Sequence, residues 1–315
     1  MDRLLTSPLL TLCVIASQMI LSCGPSSKYV PAKMTPREVE WESFHALEHL
    51  GDLEGAADGF KQMCAAEQSD VRACHDYSRV LFDMARYQES IAAAEDFVKR
   101  FSNSALAPAA AQRIARIYKI LDEPKKGVAV LKNLAALVVE TDIWDSLEYQ
   151  AAQLCRAASD SQCELDLLLA IVEKGRWSSQ LWDNAIWRSI QLYFELGDRL
   201  QEKKLLKQLI ASREKSYLIA SYNSPYHDDA ILRLGRINFD EGNLKEAYKL
   251  FKQLMEWKTS RMRDDGHVWG ARVLISQNKR KRACRLLAFV INKLPAANTR
   301  KEAIKLSQEI NCDNR

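Results

Sequence analysis

The chain has 315 residues, 47% hydrophobic and 27% charged, a balance that excludes a disordered polypeptide and suits a folded one. Eleven Gly and eight Pro are few for this length, which argues against an all-β fold with many tight turns. The net charge of +4 is unevenly spread. Residues 36–72 hold nine acidic and three basic side chains, whereas residues 245–315 hold seventeen basic and seven acidic ones. Such a split suggests different surfaces or partners at the two ends.

The first element is the apolar run from Leu4 to Leu21, interrupted by Thr6, Ser7, Pro8, Thr11, Ser17 and Gln18. These interruptions make a poor permanent membrane span, and the run reads as a secretory signal. It closes on Ile20-Leu21-Ser22-Cys23, which resembles the lipobox of bacterial lipoproteins. The resemblance implies a signal peptide over residues 1–22 and lipidation of Cys23, which becomes the mature N-terminus. Gly24 in place of Asp implies, within that family, an outer-membrane destination with the chain facing the periplasm. Residues 23–36 then read as a flexible tether spanning about 20 Å on average.

Six cysteines remain after Cys13 and Cys23, and they fall in three sequence-near pairs: Cys64 with Cys74, Cys155 with Cys163, and Cys284 with Cys312. A paired set in an exported chain suits disulfides in an oxidising compartment, with buried free thiols as the alternative. No C-x-x-C occurs, so a dithiol metal or redox site has little support.

The remainder is repetitive. "GDLEGAADGFKQM" at 51–63, "ARYQESIAAAEDF" at 85–97, "DEPKKGVAVLKNL" at 122–134, "GDRLQEKKLLKQL" at 197–209, "GNLKEAYKLFKQL" at 242–254 and "NKRKRACRLLAFV" at 278–290 align without gaps. Each begins on a small or turn residue, often has a small residue sixth, and ends on an apolar one. Ahead of each lies a second pattern with apolar residues at i, i+3, i+4 and i+7, the mark of an amphipathic helix. Turn residues fall at Gly51, Ala85, Asp122, Ser159, Gly197, Gly242 and Asn278, 34 to 45 residues apart. This pattern predicts an all-α chain of about seven helix-turn-helix units, with a capping helix over 298–311. Residues 212–225 lengthen one connection.

Over residues 37–311 the pattern resembles the tetratricopeptide repeat family. Gly235 and Ala247 match its small positions, and Leu244 and Phe251 its large apolar ones. The resemblance implies an α-solenoid, a right-handed superhelix with an extended concave surface. With the N-terminal segment, the whole is similar in architecture to lipoproteins that assist outer-membrane β-barrel assembly and to those that pilot secretins. A lipid-anchored protein-interaction scaffold of the cell envelope is the function this implies.

With each turn residue taken as the fifteenth of its unit, the ninth positions are His45, Arg79, Arg116, Gln153, Gln191, Arg236 and Arg272. In the resembled family that position lines the groove. All seven side chains can donate hydrogen bonds, and the arginines suit carboxylates. Twelfth positions include Phe82, Phe194 and Phe239. Donors interleaved with aromatics suit a peptide or an extended protein segment. The plain alternative is that these side chains only keep exposed helix faces soluble. The asparagine-based carboxylate clamp of chaperone-binding relatives is missing.

His45-Ala46-Leu47-Glu48-His49 satisfies the H-x-x-E-H pattern of inverted zinc peptidases, which makes a zinc-dependent hydrolase one alternative. It sits in a repeat helix with no peptidase body around it. A peptidoglycan-binding module is a further alternative. No G-x-S-x-G and no glycine-rich phosphate loop occurs, so neither catalysis nor a cofactor or small-molecule substrate is expected. Export also argues against a nucleic-acid partner for the basic run Lys279-Arg280-Lys281-Arg282 with Arg285. That run reads as a solvated helix start or as a contact for anionic lipid or an acidic partner.

Overall fold

The structure, a computed structural model, describes residues 34–66, 70–213 and 224–312, and the described residues form helices and no strand. The expected signal peptide, Cys23 and most of the tether lie outside the described residues, as do 214–223 of the lengthened connection. The helices pair in chain order: α1 (Pro36–His49) with α2 (Leu53–Ala65), α3 (Val71–Asp83) with α4 (Tyr87–Arg100), and α5 (Ala107–Ile120) with α6 (Pro124–Leu137). Next come α7 (Trp144–Ala157) with α8 (Ser161–Lys174), α9 (Trp182–Glu195) with α10 (Arg199–Ala211), α11 (His227–Asp240) with α12 (Leu244–Glu256), and α13 (Arg263–Ser276) with α14 (Arg280–Lys293). A single helix, α15 (Arg300–Glu309), follows them.

The hairpins turn where the sequence places the repeat starts. All seven turn residues have positive φ, from 54° at Asp122 to 86° at Gly51. After each, an amide reaches back across the turn, as in Arg86 N to Leu81 O at 2.9 Å and Lys279 N to Leu274 O at 2.8 Å. This bond caps otherwise unpaired carbonyls at the helix end. Glycine takes the left-handed conformation freely, whereas Ala85 adopts φ of 57° against a steric cost of about 1–2 kcal/mol.

The chain divides into two compact bodies, residues up to Gly59 and residues from Phe60, with the boundary inside α2. In the first body, Thr35 and Glu38 form a reciprocal capping box at the start of α1. The Phe44 ring lies against Gly59, where a side chain would collide with it. No residue of α1 is buried.

In the second body each unit buries the apolar faces of two helices between its neighbours. Ile114, Ile117, Leu131, Leu134, Leu147, Leu154 and Leu168 are almost fully buried in one continuous core. Val268, Leu274, Leu287, Val290 and Ala303 join α13, α14 and α15. The close approach of α11 and α12 explains Gly235: a Cβ there would sit 2.5 Å from the Phe251 ring. Ser and Thr in the loops between units tie back to the preceding first helix. Ser179 Oγ donates to the buried Asp145 at 2.7 Å, Ser260 Oγ to Asp228 at 2.7 Å, and Thr299 Oγ1 to Asp264 at 3.0 Å. The three cysteine pairs sit at disulfide distance, with Cα–Cα separations of 4.6 Å for Cys64 and Cys74, 5.7 Å for Cys155 and Cys163, and 5.5 Å for Cys284 and Cys312.

Candidate functional site

The first helices of the second body (α3, α5, α7, α9, α11 and α13) carry the residues expected to line the groove. Their side chains meet across units: Lys119 Nζ donates to Gln153 Oε1 at 3.4 Å, and Tyr226 Oη to Asn184 Oδ1 at 2.8 Å. Several ninth-position residues are engaged within the chain. Arg79 donates to Asp76 at 3.3 Å and Asp83 at 3.2 Å on its own helix. Arg272 Nη2 donates to Glu302 of α15 at 2.7 Å, and Glu302 faces it from the capping helix. The Arg116 guanidinium is 4.9 Å from the centre of the Phe82 ring in the preceding unit. Arg236 and Arg272 flank Trp269 at 4.9 and 5.0 Å. Gln191 is exposed. His45 lies in the first body, where its Nδ1 is 3.2 Å from Glu48. Among the described residues no group of three or more His, Cys, Asp or Glu is placed to hold a metal ion.

Of the twelfth-position aromatics, Phe82 is half-buried against Tyr87. Phe239 is half-buried edge-on to Trp269. Phe194 is 55% exposed, with Arg233 4.2 Å from its ring centre. Phe194 thus offers an open apolar face next to a cation.

Two features escape the ninth- and twelfth-position reading. The first is aromatic: Tyr149 and Trp187 occupy the fifth positions of α7 and α9, both half-buried, and Trp187 stacks on Tyr226 with ring centres 5.3 Å apart. Burial raises the Tyr149 hydroxyl above its ordinary pKa, and the phenol is neutral. The same register that selects Gln153 and Gln191 selects these residues four positions earlier. The second is a set of arginines at the sixth positions, each reaching back to the unit before. Arg113 donates to Ser78 Oγ at 2.5 Å and approaches His75 Nε2 at 3.1 Å. Arg188 grips Glu164 at 2.9 and 3.1 Å, and Arg233 donates to Glu202 at 2.6 Å.

Glu164 and Glu202 stand at the sixth position of α8 and α10 segments, where Ala56, Ser90, Gly127, Ala247 and Ala283 occupy the other units. Their side chains are only 2% and 1% exposed. Burial alone would raise the Glu164 carboxyl, but hydrogen bonds from Arg188 and Arg156 outweigh it and hold the group below its ordinary value. At Arg113, burial and the neighbouring Arg79 lower the guanidinium to about 10, so it stays charged at neutral pH. These pairs lock successive units together and fix the spacing of the exposed side chains between them. Near the loops of residues 101–106, 138–143 and 175–181 lies an open cleft of about 870 Å³ edged by Asp142, Asp183 and Trp177. Trp177 is 74% exposed there.

No protein-family model and no curated protein matches this chain. Solved structures do resemble it. The C-terminal part of a TPR repeat-containing protein from Cytophaga hutchinsonii aligns with a TM-score of 0.50 at 10% identity, covering 84% of this chain and 98% of that one. Naa15/Naa10 bound to HypK-THB gives 0.47 at 12% identity over 87% of this chain, which spans only 39% of that chain's length. PilW, a type IV pilus biogenesis factor, gives 0.41 at 14% identity over 76% of this chain and 100% of its own. The all-helical hairpin array and the Cytophaga likeness together establish a tetratricopeptide-repeat-like fold.

Proposed function

We propose that the protein is a lipid-anchored interaction scaffold of the bacterial envelope, holding a protein segment along the first helices of its repeats. The supporting observation is the run of side chains at one register, Arg116, Gln191 and Arg236 exposed on α5, α9 and α11, on a set of helices that also carries Tyr149 on α7 and Trp187 and Phe194 on α9. Aromatic faces with adjacent donors suit an extended peptide, the aromatics supplying contact area and the arginines meeting carboxylates. No catalytic step is assigned. Cys23 is the proposed attachment point, and residues 23–36 the tether that carries the array clear of the headgroups. Disulfides at the three close cysteine pairs fit an oxidising compartment. By analogy of anchor and fold the array serves the assembly of an envelope or outer-membrane complex, on the periplasmic face.

Two experiments test the two halves of this reading. Cys23→Ala abolishes membrane retention; a mutant that is still processed and membrane-bound refutes the anchor. Combined Arg116→Ala, Gln191→Ala and Phe194→Ala lowers recovery of the envelope partner while the helical content stays unchanged. Equal recovery from the folded triple mutant moves the binding surface off the first helices. Metal content and binding to purified peptidoglycan distinguish the two alternatives.

A further inference from the structure

We infer that the protein self-associates head to tail, the acidic segment 34–59 of one copy docking on the basic segment 279–312 of another. The inference stands apart from the envelope reading and rests on residues other than those of the proposed groove.

Charge is the first observation. Residues 34–59 carry seven carboxylates and one guanidinium, that of Arg37. Residues 279–312 carry nine basic side chains and two acidic ones. The two surfaces are therefore nearly equal and opposite, −6 and +7. Glu40, Glu42 and Asp58 are exposed on the acidic side, and Lys279, Lys281, Arg282 and Arg285 on the basic side. Lys279 Nζ donates to the neutral Gln277 at 2.8 Å. Arg282 lies 5.8 Å from the Tyr248 ring centre. Lys281 and Arg285 have no carboxylate partner among the described residues. The first turn of α14 holds Arg280 and neighbouring cations with no acidic residue. Cations at the positive end of a helix dipole are disfavoured. The first turns of α8, α10 and α12 instead hold Glu164, Glu202 and Glu246. A basic helix start kept against this bias is suited to an acidic partner surface.

Uncovered apolar surface is the second observation, and it is independent of charge. No residue of α1 is buried; Leu50 is 82% exposed and Val39 55%. Repeat arrays need a polar outer face at each terminus. The C-terminal end has α15 over α14, with Ala303 buried beneath it. At the other end of the chain, Val39 on α1 and Leu50 at its C-cap are exposed apolar side chains, and the same helix carries the exposed Glu40 and Glu42, a surface suited to a second copy. A contact between two different surfaces of one chain is heterologous, and it builds a ring or an open chain rather than a two-fold dimer.

Sedimentation velocity of the purified full chain in mild detergent tests this. At about 50 mM salt the mass exceeds the monomer and rises with concentration; at about 500 mM, where the screening length shrinks to a few ångström, the monomer returns. Lys279→Glu/Lys281→Glu/Arg285→Glu and Glu40→Lys/Glu42→Lys/Asp58→Lys are each monomeric at low salt, and their equimolar mixture recovers association. Circular dichroism verifies that both variants are folded. A wild-type monomer at low salt up to about 100 µM overturns the inference, as does association of either variant alone. Loss of phosphatidylglycerol-vesicle flotation by the first variant, with wild type monomeric, assigns the basic face to lipid and overturns it as well.

Discussion

Arg188→Ala is the most direct perturbation of the way one repeat is held to the next. Arg188 binds Glu164 through Nε at 2.9 Å and Nη2 at 3.1 Å, and Glu164 is 2% exposed. Removing one partner of a buried pair costs about 3–5 kcal/mol when the remaining charge is left alone. Here Arg156 stays, its Nη2 at 2.5 Å from Glu164 Oε1, and it is half solvent-exposed. A cost of about 2 kcal/mol is therefore expected. Glu164→Ala restores the small residue found at that position in other units, and Arg188 keeps Glu195 at 2.9 Å, so that cost is only about 1 kcal/mol. The double mutant should cost little more than Glu164→Ala alone, giving a coupling of about 1–2 kcal/mol. Because the Glu164 carboxyl titrates below its ordinary 4.5, the contribution is present above that pH and is lost as pH falls through the depressed value. Urea unfolding by far-UV circular dichroism reads the total, and hydrogen exchange at α8 localises it, since repeat arrays can open unit by unit. A coupling within error of zero, or a penalty for Arg188→Ala of under about 0.5 kcal/mol, refutes the latch.

Three further outcomes follow from named contacts. Gly235→Ala forces its methyl to 2.5 Å from the buried Phe251 ring and should lower stability by about 1–3 kcal/mol in urea unfolding. Ala85→Gly relieves a left-handed residue at φ 57° and should raise stability by about 0.5–1 kcal/mol, which calorimetry can read. Burial, then Asp264 and Glu302, push Asp265 up from 3.8 to about 6, so its folded form favours the proton and stability is lost as pH rises through this interval. Asp265→Asn should therefore raise stability at pH 7 by about 1 kcal/mol after discounting for partial exposure, seen as a higher melting temperature, with the gain vanishing near pH 4.

The hairpin turns were legible because one residue at each has a chemical demand placed on it. Gly51, Gly197 and Gly242 announce a left-handed turn, and Asp122 and Asn278 tolerate one. Ala85 and Ser159 are found only by the register their neighbours set. The small sixth position gave the hairpin packing at Gly127 and Ala247, but it carries no signal for Glu164 and Glu202. Their meaning lies in Arg188 and Arg233, which are 24 and 31 residues away and meet them only when units stack. The ninth-position arginines were placed in register from sequence, but spacing cannot say that Arg272 meets Glu302 or that Arg116 rests on Phe82. The aromatic pair Trp187 and Tyr226 was hidden by an irregular connection between units.

The central claim, that the first-helix face holds a protein partner, is tested most directly by site-specific photocrosslinking in the intact envelope. A crosslinker replacing the exposed Gln191 on α9 is compared with one replacing the exposed Lys207 on α10. The account predicts one discrete adduct from position 191, repeated from position 116 and absent from position 207. The same adduct from 207 with none from 191 or 116 would contradict it.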